Sequence, residues 1–137
     1  MPSKAVLDAV RTRQEANWTT LDVFYPNDAA APPLNLAAFV QVEFPVGGAE
    51  RLTLAYNGVH QEVGTVRFVV HCRIKTGPDQ AFVYADELRA LFRSVVLIKT
   101  ATAVLETEAP TPATGLGADV TYYLVSTSVP YRYLFTP

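Results

Sequence analysis

The chain has 137 residues, of which 50% are hydrophobic and 18% charged, against about 25% charged in an ordinary soluble domain. This length suits one domain over residues 1–137 with one core, and the apolar content offsets the entropy of ordering, which excludes a largely disordered chain. A net charge of −2 excludes a tight grip on nucleic acid, which needs clustered Lys and Arg.

Cys72 is the only cysteine, so no intrachain disulfide can form and a reducing compartment is expected. The opening segment meets charges at Asp8 and Arg11, so it lacks the apolar stretch of a signal peptide. The run Val95-Val96-Leu97-Ile98 stops at Lys99, far short of the ~20 residues that cross a bilayer. A soluble, unprocessed protein without a membrane partner is expected.

In chain order, Ser3 is placed to cap a helix over residues 4–17 whose stripe is Ala5, Val6, Ala9, Val10 and, beyond the helix, Trp18. A short strand at 21–25 precedes a loop rich in Ala and Pro to residue 36. Alternation over 39–46, with Val40, Val42, Phe44 and Val46 on one face, predicts a half-buried strand ended by Gly47-Gly48. Arms at 51–56 and 61–75 flank Asn57-Gly58, a pair suited to a tight turn, and predict a protruding hairpin. In its second arm Val66, Phe68, Val70, Cys72 and Ile74 form the core face and Arg67, Val69, His71, Arg73 and Lys75 the other.

A second helix is expected over 79–94, with Ala81, Ala85, Leu88, Leu91, Phe92 and Val95 spaced for burial. Residues 96–107 read as one strand, 109–115 as a polar loop, and 120–135 as a long strand whose later half Pro130 assigns to an edge or a bulge. The fold class is α+β: a mostly antiparallel sheet, two helices packed on one face, and a long projecting hairpin.

Catalytic signals are weak. His71 and Cys72 are adjacent on a strand, so they point to opposite faces and cannot form a thiol–imidazole pair. His60, His71 and Cys72 match no zinc spacing, and Asp86-Glu87 diverges by about 100° on a helix. Gly115-Leu116-Gly117 lacks the third glycine of a phosphate loop and reads as a turn. No catalytic, cofactor or metal residue is assigned, and no cofactor is expected.

Several strings stand in a characteristic order: an opening helix ending at Asn17-Trp18, Tyr25-Pro26-Asn27 with Ala31-Pro32-Pro33, and Phe39-Val40-Gln41-Val42. The hairpin follows, then Leu88-Arg89-Ala90-Leu91-Phe92 and Ser128-Val129-Pro130-Tyr131-Arg132-Tyr133. With the order of elements, these strings resemble the tail terminator (tail completion) proteins of long-tailed bacteriophages and phage-like gene transfer agents. The resemblance implies a structural protein assembled in the bacterial cytoplasm into the neck of a virion. Its partners would be the tail tube protein, a head-tail connector, and further copies of itself in a ring, usually of six. A domain of this length is a sphere about 36 Å across, and six touching spheres leave a hole of about one diameter, wide enough for DNA in transit.

Three groups of residues are candidates for assembly. The hairpin tip offers Tyr56, Asn57, Val59, His60, Gln61 and Glu62, with a solvated loop as the alternative. Arg67, Arg73 and Lys75 would meet acidic neighbours or line the channel, or simply form a solvated sheet face. Tyr131, Tyr133 and Phe135 form an aromatic strand suited to an interface, or to packing beneath a helix. Other neck proteins and a monomeric small-ligand module with an apolar pocket remain alternatives.

Overall fold

A computed structural model describes residues 3–26, 38–51, 58–73, 79–118 and 122–136. Their order is α1 (Lys4–Asn17), β1 (Asp22–Phe24), β2 (Ala38–Arg51), β3 (His60–Arg73), α2 (Asp79–Phe92), β4 (Val96–Lys99), β5 (Ala103–Thr107), β6 (Thr114–Ala118) and β7 (Tyr122–Phe135). The strands form one sheet in the order β1-β2-β3-β7-β5-β4, with β6 also paired to β7. Among the described strands, β1 against β2 is the one parallel pair. The expected α+β class is therefore observed.

Both helices pack on one face of the sheet. Val6 and Val10 of α1 and Ala81, Ala85, Leu88 and Phe92 of α2 join Val40, Val42, Val66, Phe68, Val70, Cys72, Leu105, Val125 and Val129 in a single core. Each large side chain fully buried there stabilises the fold by roughly 1.5–3 kcal/mol. Phe68 and Phe92 stack across the layers with ring centroids 5.2 Å apart. Cys72 lies in this core, where burial raises its thiol pKa above the ordinary value, as expected of an inert thiol.

Several expectations are corrected. Gly47-Gly48 does not end the strand: β2 runs through it, with Gly47 facing Gly64 and Gly48 facing Val63. The break in register falls earlier, between Glu43 and Val46, where Pro45 supplies no N–H and an extra residue is accommodated as a bulge. Arg51 faces His60, whereas a two-residue turn centred on Asn57-Gly58 would set Arg51 against Gly64. Asn57 itself lies outside the described residues.

The stretch 96–107 is two strands rather than one. Thr100 N–H donates to the Ala103 carbonyl at 2.8 Å and the Thr100 hydroxyl accepts from Thr102 N–H at 3.3 Å, so a threonine-built turn overrides β propensity. Gly115-Leu116-Gly117 is not a turn but the centre of β6, with a register shift there and Gly117 at φ 90°. Helix α2 ends at Phe92, two residues early, and Ser94 adopts φ 48°, a left-handed conformation incompatible with continuing a helix. Ser3 is the N-cap of α1 by position, but its hydroxyl makes no capping hydrogen bond.

Pro130 is not on an edge. β3 pairs with β7 along its whole length, while the opposite side of β7 pairs first with β6 and then with β5. The Pro130 carbonyl accepts from Glu108 N–H at 2.9 Å, so its nitrogen faces the gap between those two strands. Thr111 fills that gap: its N–H donates to the Ser128 carbonyl, and its hydroxyl accepts from Ser128 N–H. A missing donor is tolerated there because no strand needs it.

Candidate functional site

The register of β3 against β7 unites two candidate groups that are more than sixty residues apart in sequence. His60 faces Phe135 and Glu62 faces Tyr133. Their rings form a strip at the hairpin end of the sheet: His60 stacks on Phe135 at 5.6 Å and Phe135 on Tyr133 at 4.9 Å. All three are half-buried, as are Val59 and Gln61. Tyr56 lies outside the described residues.

Glu62 and Tyr131 serve the inside of the subunit. The Tyr131 hydroxyl donates to Glu62 Oε2 at 2.9 Å, and Ser3 N–H, at the start of α1, donates to the same carboxylate at 3.2 and 3.3 Å. Tyr131 is 3% exposed, beneath the helix layer, which is the packing alternative. Burial first, then the hydrogen bond and charge of Glu62, push its hydroxyl pKa upward. A carboxylate at a helix N-terminus also favours the helix dipole.

The helix-free face of the sheet carries two cross-strand ion pairs. Arg67 pairs with Glu43 directly across the β2–β3 ladder, and Arg132 with Glu106 across β5–β7 at 2.6 Å. Such half-exposed pairs contribute about 0.2–1 kcal/mol each, yet they fix where charge sits. Arg73 is exposed on the same face, and Lys75 lies outside the described residues. At the β1 end, this face holds an aromatic cluster in which Phe39 stacks on His71 at 4.3 Å while Phe24 and Tyr122 meet Phe39 edge-on. Val69, expected on the open face, is buried there.

Some contacts leave no signal in the sequence because they depend on register or helix docking. Trp18 Nε1–H donates to Glu87 Oε2 at 2.8 Å, tying α1 to α2, while Asp86 pairs with Arg89; the adjacent acids have separate structural tasks. Gln14, buried in α1, accepts from the Tyr25 hydroxyl at 2.9 Å and donates to the Trp18 carbonyl. A groove of about 500 Å³ separates α1 from β4, the last strand at that edge. Among the described residues, no three His, Cys, Asp or Glu side chains gather as a metal site, and no helix is long and apolar enough to cross a membrane.

These features define a two-layer α+β domain whose distinctive surfaces, among the described residues, are the sheet edges, an aromatic strip and a sheet face with cross-strand ion pairs. The chain belongs to the phage tail terminator protein family, which it matches over residues 5–131. That family is structural and non-enzymatic, and its place is the virion tail, in association with the tail tube. Among 13 similar solved chains, one superposes with a TM-score of 0.64 at 21% identity, covering 100% of this chain and 99% of its own. At that identity the likeness shows the fold alone. No curated protein matches.

Proposed function

We propose that the chain closes into a ring, of six subunits, that caps the tail tube, stops its polymerisation and presents a docking face to the head connector. DNA passes through the central channel. Family membership over residues 5–131 carries this reading. The geometry supports it through the helix-free sheet face, where Glu43–Arg67 and Glu106–Arg132 cancel charge across strands. A channel wall built from that face offers passing phosphates few uncompensated cations, so DNA slides rather than binds.

Light scattering across concentration tests ring closure, with a mass near six subunits of 15.0 kDa each as the expected result. A monomer at every concentration and also on added tail tubes overturns the ring. Tight, strongly salt-dependent retention of duplex DNA overturns the sliding channel.

A further inference from the structure

A ring, on which this inference rests, needs two different surfaces of one chain to meet. We propose that the far half of β2, at Gly48, Ala49 and Glu50, docks as a parallel strand along the outer edge of β4 in a second copy of this chain.

The first observation is that, among the described residues, neither edge has a strand beyond it at this level. Among the described residues, β1 covers β2 at Phe39, Val40 and Gln41, and beyond the Pro45 bulge Gly48, Ala49 and Glu50 are exposed, with β3 as their neighbour. A Cβ placed on Gly48 would meet nothing within 4 Å. At the same level on the other side of the sheet, β4 has β5 as its one partner among the described strands, and Val96 is 54% exposed. Unpaired edges of this kind recruit strands.

Direction and facing agree. Successive antiparallel pairings from β2 through β3, β7 and β5 leave β4 running the same way as β2, so a ring of identically oriented copies brings them together in parallel. Ala49 faces Glu62, and Ile98 faces Leu105, which puts both on the helix side. Glu50 faces Gln61, and Lys99 faces Val104, which puts both on the helix-free side. Setting Ala49 beside Ile98 therefore sets Glu50 beside Lys99.

Charge and size fit as well. Glu50 and Lys99 are exposed, of opposite sign, and without an ion pair inside the subunit among the described residues. The groove beside β4 is lined on α1 by Ala5, Ala9 and Ala16 together with Asp8, Thr12 and Arg13, and the alanines leave room there for a slender strand such as Gly48-Ala49. Lys99 and the irregularity at Leu97 discourage random edge pairing and select a strand bearing an acid at the matching position. With five strands abreast per copy, six copies close a barrel about 46 Å across between backbones at about 4.8 Å per strand. The helices lie outside, and the Glu43–Arg67 face lines the channel.

The test pairs Ala49→Cys with Ile98→Cys in one chain. These positions are four strand spacings, about 19 Å, apart within a subunit, too far for an internal disulfide, and native Cys72 is buried. Oxidation is expected to give a covalent ladder on non-reducing gels, absent from either single variant. Ala49→Cys with Leu116→Cys, on the β6 edge, is expected to give none. Glu50→Lys and Lys99→Glu are each expected to raise the concentration of half-assembly at least about threefold, and the double reversal to restore it. Assembled rings without the Ala49–Ile98 ladder, or a ladder through Leu116, overturn the edge pairing and leave the ring standing. Monomers at every concentration and on tail tubes overturn both.

Discussion

Replacing Glu62 with Ala removes the acceptor shared by the Tyr131 hydroxyl at 2.9 Å and Ser3 N–H at 3.2 Å. Hydrogen bonds to a charged group contribute about 1.5–3 kcal/mol, and a buried hydroxyl left unsatisfied costs about 1–3 kcal/mol. Glu62 is only partly buried, and water re-solvates the Ser3 N–H, so the net loss is about 2–3 kcal/mol. Tyr131→Phe removes the donor together with its need for a partner, and costs about 1 kcal/mol. The double variant is then less destabilised than the sum of the singles, by about 1 kcal/mol. Urea unfolding at constant m-value reads all three, at concentrations where the oligomeric mass is unchanged. A Glu62→Ala variant within about 0.5 kcal/mol of the parent, or strict additivity in the cycle, would refute the anchoring role.

The raised Tyr131 pKa has a sign. Its stabilisation is fully present below the ordinary value of 10.0 and is lost as pH rises above it, because the unfolded chain ionises first. Unfolding followed from pH 9 to 11 is therefore expected to show falling stability, and Tyr131→Phe to flatten that fall. Leu88→Ala, at a fully buried position on α2, is expected to cost about 2–5 kcal/mol by denaturant titration. Pro130→Ala is expected to cost less than about 1 kcal/mol, because the restored N–H points into the gap between β5 and β6 rather than at a strand.

Local pattern carried most of the fold into the sequence. The helical stripes of α1 and α2 and the alternation of Val66, Phe68, Val70 and Cys72 are set by the periods of 3.6 and 2; the structure buries that alternation together with Val6, Val10, Trp18, Ala81, Ala85, Leu88 and Phe92, and leaves Ala5, Ala9, Leu91 and Val95 half-buried. What failed depends on partners distant in sequence. Gly47-Gly48 reads as a stop until β3 supplies a ladder through it, and Pro130 reads as an edge until the strand opposite proves to be interrupted. Residues 96–107 hide a turn because threonines favour strands as well as turns.

The assembly surfaces divide along the same line. The aromatic chemistry of His60, Tyr133 and Phe135 was legible as suited to an interface, but their half-burial was not, and only the β3–β7 register makes them one strip. Arg67 was legible as a cation on the face away from the core, but its neutralisation by Glu43 was not, because nothing local tells which residue lies across the ladder. The β4 edge and its groove against α1 left no trace, being a property of how the helix docks.

Tail-tube polymerisation with and without this chain tests the central claim most directly. The length distribution of tubes assembled from the tube protein is expected to shorten as the chain is added in sub-stoichiometric amounts, with a single ring visible at one end of each capped tube by electron microscopy. An unchanged length distribution with bare tube ends at saturating amounts of folded chain would contradict the account.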